Sequence, residues 1–178
     1  MIRAVLTVAL AVAVLGVALP AVEQASTQRG DTATRRAVDD LVSAARALAA
    51  DSDALPPNLS TARRSLTLDL PTNERLKRGL ATLRIERPPS PRASDADANV
   101  SVGTGSQFRT GTRLVWRVRG ATTHVRQVGD VRLRPAGWGA RRTPDAVTLR
   151  TGGRRRLVLE LVRVDGHRVV WVHVGDVP

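Results

Sequence analysis

The stretch "RLVLELVRVDGHRVVWVHV" (156–174) constrains this chain more tightly than any other. Two runs rich in valine and leucine flank Asp165-Gly166. A two-residue Asp-Gly loop fits a type I′ turn, whose twist matches that of the strands it joins. The turn sets the register, with Val164 facing His167. One face then carries Leu161/Val170, Leu159/Val172 and Leu157/Val174, the expected core face. The other carries Val162/Val169, Glu160/Trp171 and Val158/His173, a mixed set that a second layer or a partner must partly cover. The same register puts Glu160 diagonal to His173, within reach of it.

The two-residue period recurs upstream. Leu66, Leu68 and Leu70 alternate with polar residues, as do Leu83 and Ile85 around Arg84. Leu114, Trp116 and Val118 alternate with Arg113, Val115, Arg117 and Arg119, and Val131 and Leu133 with Arg132 and Arg134. Such alternation predicts half-buried antiparallel strands with arginine on the outer face. A strand over Val147–Leu149 turns into the hairpin through "RTGGRR". The proline-rich, then acidic "ERPPSPRASDADAN" (86–99) reads as an exposed loop inside a β-rich domain spanning 60–178.

Ahead of the strands the period is helical. Val38, Leu41, Val42, Ala45, Leu48 and Ala49 fall on one face, with Arg35, Arg36, Asp39, Asp40, Ser43 and Arg46 on the other. Gly30-Asp31 is expected to break the preceding helix and cap this one, giving an amphipathic helix over 31–51. It packs on the sheet or, in a sharper reading, against copies of itself in a filament.

Residues 1–22 hold a further apolar segment. Ala4 to Val22 is nineteen residues without a charge, about 28 Å of helix against a hydrocarbon core of roughly 30 Å. It can be a cleaved secretory signal, an uncleaved anchor or a pilin-type leader. A signal cut needs small residues at −3 and −1, and Leu19 or Glu23 stands in the way. In the pilin-type reading, Arg3-Ala4-Val5-Leu6 resembles an archaeal prepilin site, with cleavage between Ala4 and Val5. The last two readings keep the helix, and the expectation is a single-pass protein of the cell membrane. Arg29, Arg35 and Arg36 favour a cytoplasmic C-terminal domain. The sequons Asn58-Leu59-Ser60 and Asn99-Val100-Ser101 use two of only three asparagines and favour glycosylation at Asn58 and Asn99, outside the cell.

Composition narrows the chemistry. Cysteine is absent, which removes disulfides, thiolate zinc sites and cysteine nucleophiles. His124, His167 and His173 lack metal-ligand spacing, no serine sits in an elbow motif, and Gly103-Thr104-Gly105-Ser106 lacks the lysine and helix of a phosphate loop. No catalytic residue, metal or cofactor is expected, and the chain reads as a non-enzyme. The net charge is +12, and Lys77 is the only lysine. Residues 109–178 carry fifteen arginines against five acids, which favours acidic partners. The candidate anion contacts are Arg113, Arg117, Arg119, Arg132, Arg134, Arg154, Arg155 and Arg156, each able to form bidentate pairs. With no tyrosine and one phenylalanine, stacking on single-stranded nucleic acid is disfavoured.

The layout, with "MIRAVLTVALAVAVLGVALP" at the start, an Ala/Arg/Asp-rich helix and "RRRLVLELVRVDGHRVVWV" near the end, resembles an uncharacterised family of haloarchaeal membrane-anchored proteins. The resemblance implies an association with archaeal type IV pilus-like or secretion machinery. The expected fold is α+β: an N-terminal transmembrane helix, an amphipathic helix, then a mainly antiparallel β domain, the pilin-like order of elements. The expected function is that of a non-enzymatic, membrane-anchored, extracytoplasmic accessory subunit, with protein partners in such an assembly. The alternative is an anchored binding module whose arginine-rich sheet face takes acidic polymers or nucleic acid.

Overall fold

A computed structural model describes residues 2–56, 61–74, 78–86, 111–136 and 146–175. One helix, α1 (Ile2–Asp51), precedes eight strands: β1 (Ala62–Leu70), β2 (Leu80–Glu86), β3 (Thr112–Val118), β4 (Thr123–Val128), β5 (Leu133–Ala136), β6 (Ala146–Leu149), β7 (Gly153–Val164) and β8 (His167–Val174). The strands form two four-stranded sheets, ordered β1-β7-β8-β5 and β4-β3-β2-β6. All pairings between strands are antiparallel except β5 with β8.

The hairpin forms in the expected register, from Val164 opposite His167 to Leu157 opposite Val174. Asp165 and Gly166 both take positive φ, 50° and 75°, as a type I′ turn requires. Leu157, Leu159 and Leu161 enter the core with Val170 and Val172. That core is one continuous cluster, with Val38, Leu41, Val42 and Ala45 of α1, Leu68 and Leu70 of β1, and Leu83, Ile85, Leu114 and Trp116 of the second sheet. Thr112 stitches the two sheets together. Its buried Oγ1 accepts from Leu133 N at 2.6 Å and donates to Leu133 O at 3.1 Å.

The helical part departs from expectation. Gly30-Asp31 does not break it, and a single helix runs from Ile2 to Asp51, about 75 Å at 1.5 Å per residue. Gly30 serves a close approach instead: a Cβ there would overlap the carbonyl oxygen of Arg78 and lie 2.9 Å from Val118 Cγ1. The buried stripe therefore begins about three turns earlier than the apolar residues suggest. Ser26 and Thr34 are buried beside Gly30, and their hydroxyls donate back to Glu23 O at 2.7 Å and Gly30 O at 2.9 Å. This back-bonding lets small polar residues lie on a packed helix face.

The expected transmembrane helix is also corrected. Among the described residues, no helix is long and apolar enough to cross a membrane. The charge-free run is the opening of a much longer helix that continues through Glu23, Gln24, Gln28 and Arg29 into the packed body. The order of a membrane helix, a separate amphipathic helix and one antiparallel domain is thus replaced by one helix and two sheets. With it goes the single-pass placement at the cell membrane with the C-terminal domain outside. Ala4 and Val5, the proposed leader junction, lie within α1. Asn58, Asn99, the loop beyond Glu86 and Gly103–Ser106 fall outside the described residues.

Candidate functional site

The eight arginines singled out in the sequence do not converge. Arg113 and Arg117 stand with Val115 on the face of β3 opposite the core, Arg113 across from Glu86 and Gln127, Arg117 across from Thr82 and Thr123. Arg119 follows in the turn. Arg132 precedes β5, where its carbonyl accepts from Val170 N at 2.8 Å. Arg134 belongs to the other sheet, opposite Trp171. Arg154, Arg155 and Arg156 open β7, opposite Asp69, Leu68 and Thr67 of β1. Alternation turns Arg154 and Arg156 to the outer face and Arg155, with Leu157, to the inner one.

Arg154 and Arg156 share their face with an arginine that the alternating pattern did not single out. Arg63 pairs with Glu160 in register and lies on the same outer face as Ser65, Thr67 and Asp69. The Leu66/Leu68/Leu70 alternation carried back three residues would have found it. Arg154 Nε donates to Asp69 Oδ1 at 3.3 Å, Arg156 Nη2 to Ser65 Oγ at 3.4 Å, and Arg155 to Thr151 Oγ1. Arg63, Arg64, Arg154, Arg155 and Arg156 are all exposed.

Further along this face lies a buried polar cluster. Glu160 is 6 % exposed and His173 3 %. The diagonal reach expected from the register is realised, with His173 Nε2 3.0 Å from Glu160 Oε2. Arg63 donates to Glu160 Oε1 from Nε at 3.2 Å and from Nη2 at 3.0 Å, and Thr61 Oγ1 donates to the same oxygen. Burial works to raise the Glu160 pKa, but the hydrogen bonds from Thr61, Arg63 and His173 prevail and hold it below the usual glutamate range. Burial, only partly offset by Glu160, pushes the His173 pKa down. At neutral pH the pair is therefore a carboxylate receiving Nε2–H from a neutral imidazole. The carboxylate positions Arg63 and ties the edge strand to the hairpin.

A second constellation joins α1 to the other sheet. Asp31 Oδ1 accepts from Trp116 Nε1 at 3.2 Å and lies 3.1 Å from His124 Nε2, while Arg35 donates to Oδ2 at 3.0 Å. The Trp116 and His124 rings stack at 5.4 Å. Beside them opens a cleft of about 630 Å³ between α1 and the turn after β3, lined among others by Glu23, Gln28, Arg78 and His124. Among the described residues no group of three or more potential ligands could hold a metal ion.

The N-terminal part of α1 has a different character. Leu6, Leu10 and Val22 are 65 %, 66 % and 51 % exposed, the three most exposed of the large hydrophobic side chains described. From Ala37 to Leu48 the same helix buries Ala37, Val38, Leu41, Val42, Ala44, Ala45 and Leu48. A domain of unknown function, DUF7311, matches residues 1–175, so its span includes this exposed helical segment together with both sheets. The chain belongs to that family. No curated protein and no solved structure matches it. The DUF7311 span treats helix and sheets as one unit, in agreement with their shared core.

Proposed function

We propose that this DUF7311 chain is a non-catalytic accessory subunit that joins a larger assembly through the exposed N-terminal part of α1. The carrying observation is the exposure of Leu6, Leu10 and Val22 on a helix whose later turns bury every large apolar side chain they carry. Burying a leucine is worth roughly 1.5–3 kcal/mol, and exposed side chains such as Leu6 and Leu10 gain this only when another surface covers them. Leu6 and Leu10 are one turn apart and fall on one stripe, the geometry of a helix–helix contact. The occupant of that stripe is the same segment of other copies or a similar helix of a neighbouring subunit. The resemblance in the sequence suggests a pilus-like or secretion assembly as the setting.

Sedimentation velocity of the full chain over a range of concentrations tests this reading. The wild type assembles, and a Leu6→Glu/Leu10→Glu chain sediments as a monomer with the same thermal unfolding midpoint. A wild type that stays monomeric at every concentration, or a double variant that assembles equally well, overturns it.

A further inference from the structure

We infer that the arginine-bearing end of the β1–β7 ladder is a binding track for an acidic polysaccharide, a linear chain of carboxylate- or sulfate-bearing sugars. The track lies on the outer face and begins with Arg63. Because β7 runs antiparallel to β1, Arg156 stands beside Thr67 and Arg154 beside Asp69. Read along β1, the three guanidinium-bearing positions fall at residues 63, 67 and 69. At about 3.4 Å per residue they are spaced by roughly 14 and 7 Å, a row about 20 Å long. The exposed hydroxyls of Ser65 and Thr67 lie between them.

Three features suit this row to a charged polymer. First, β1 is the outermost strand of its sheet, so a chain can lie along it without entering a pocket. Second, Arg154 pairs with exposed Asp69, and such a surface ion pair is weak enough to be exchanged for a ligand anion. Third, the outer face of β1 and β7 carries Arg63, Arg154 and Arg156 against Asp69 and Glu160, and Glu160 is committed to orienting Arg63 from beneath. Guanidinium groups bind carboxylate and sulfate through charge-assisted, often paired hydrogen bonds. Neither β1 nor β7 contains an aromatic residue, so the track lacks the stacking platform that single-stranded nucleic acid uses. A glycan bearing acidic groups needs only the charges and hydroxyls present.

Titration of the full chain with heparin and with polygalacturonate reads out sulfate and carboxylate recognition separately. Duplex DNA forms a third arm. The wild type binds at least one of the two polysaccharides, with log Kd rising by roughly 2–3 per decade of salt if three cations are engaged. Arg154→Ser/Arg156→Ser weakens binding about tenfold or more through loss of two charge-assisted contacts, with an unchanged unfolding midpoint. Arg117→Ser/Arg119→Ser, which removes the same charge from the other sheet, changes affinity less than about twofold, within the range of long-range charge effects. Absence of binding to both polysaccharides overturns the proposal. So does an equal loss in the two double variants, which marks diffuse charge rather than a track. Tighter binding of DNA through Arg154 and Arg156 overturns the ligand class.

Discussion

Glu160 shows how one side chain can govern a region it never leaves. A buried carboxylate is costly unless its oxygens are satisfied, and here Thr61, Arg63 and His173 supply the donors. Both ionisable partners at its core have pKa values below their ordinary ones. For each, the unfolded chain binds its proton at a higher pH than the folded one does. The stabilisation is therefore complete above the unfolded value, and it is lost as pH falls through the folded value. His173 acts first, below the ordinary imidazole value of about 6.5, and Glu160 follows below the glutamate value of about 4.3. Urea unfolding midpoints should fall on acidification across this range. His173→Gln, which keeps a donor for Glu160 but cannot titrate, should flatten the upper part of the profile. A slope unchanged by that substitution would show that His173 does not carry it. The contact between Glu160 and His173 was legible in the sequence because a two-residue turn dictates which residues are diagonal. The contact of Arg63 with Glu160 was not, because alternation gives the face of Arg63 but not the distant strand it pairs with.

At the scale of elements, α1 carries the largest difference between pattern and structure. Gly-Asp is a reasonable stop signal when only local preference counts. In the folded chain the helix continues because Gly30 admits the backbone before β2 at a distance no side chain would allow, while Asp31 collects Trp116, His124 and Arg35. Tertiary contact thus converts a breaker and a cap into a packing point and a hub. Gly30→Ala separates the two accounts. On helix propensity alone it should stabilise by up to about 1 kcal/mol. Overlap with Arg78 O should instead destabilise by roughly 1–3 kcal/mol, which chemical denaturation will resolve in sign. The hairpin is the opposite case. Its turn chemistry and alternation act over neighbouring residues, so local rules alone dictate each pair from Val164/His167 to Leu157/Val174.

At the scale of the whole molecule, the described residues share one core between a helix and two sheets, and polar cross-links join these layers. Thr112 is the clearest, a hydroxyl on β3 that both accepts from and donates to the backbone of Leu133 on β5. Thr112→Val keeps the shape but leaves a buried N–H without its acceptor, and should cost about 1–3 kcal/mol in equilibrium unfolding. Retention of full stability would show that the sheets do not rely on this bond. At this scale the sequence by itself determined the alternating strands, the hairpin register, the apolar face of residues 38–48 and the excess of arginine. These depend on the period of the chain and on residues two to four apart. Only the tertiary structure decided that the strands divide into two sheets, that one helix runs unbroken through Gly30, and that the arginines separate, with Arg63, Arg154 and Arg156 left together on one edge. Those outcomes depend on which distant segments meet, and sequence spacing carries no information about a neighbour ninety residues away.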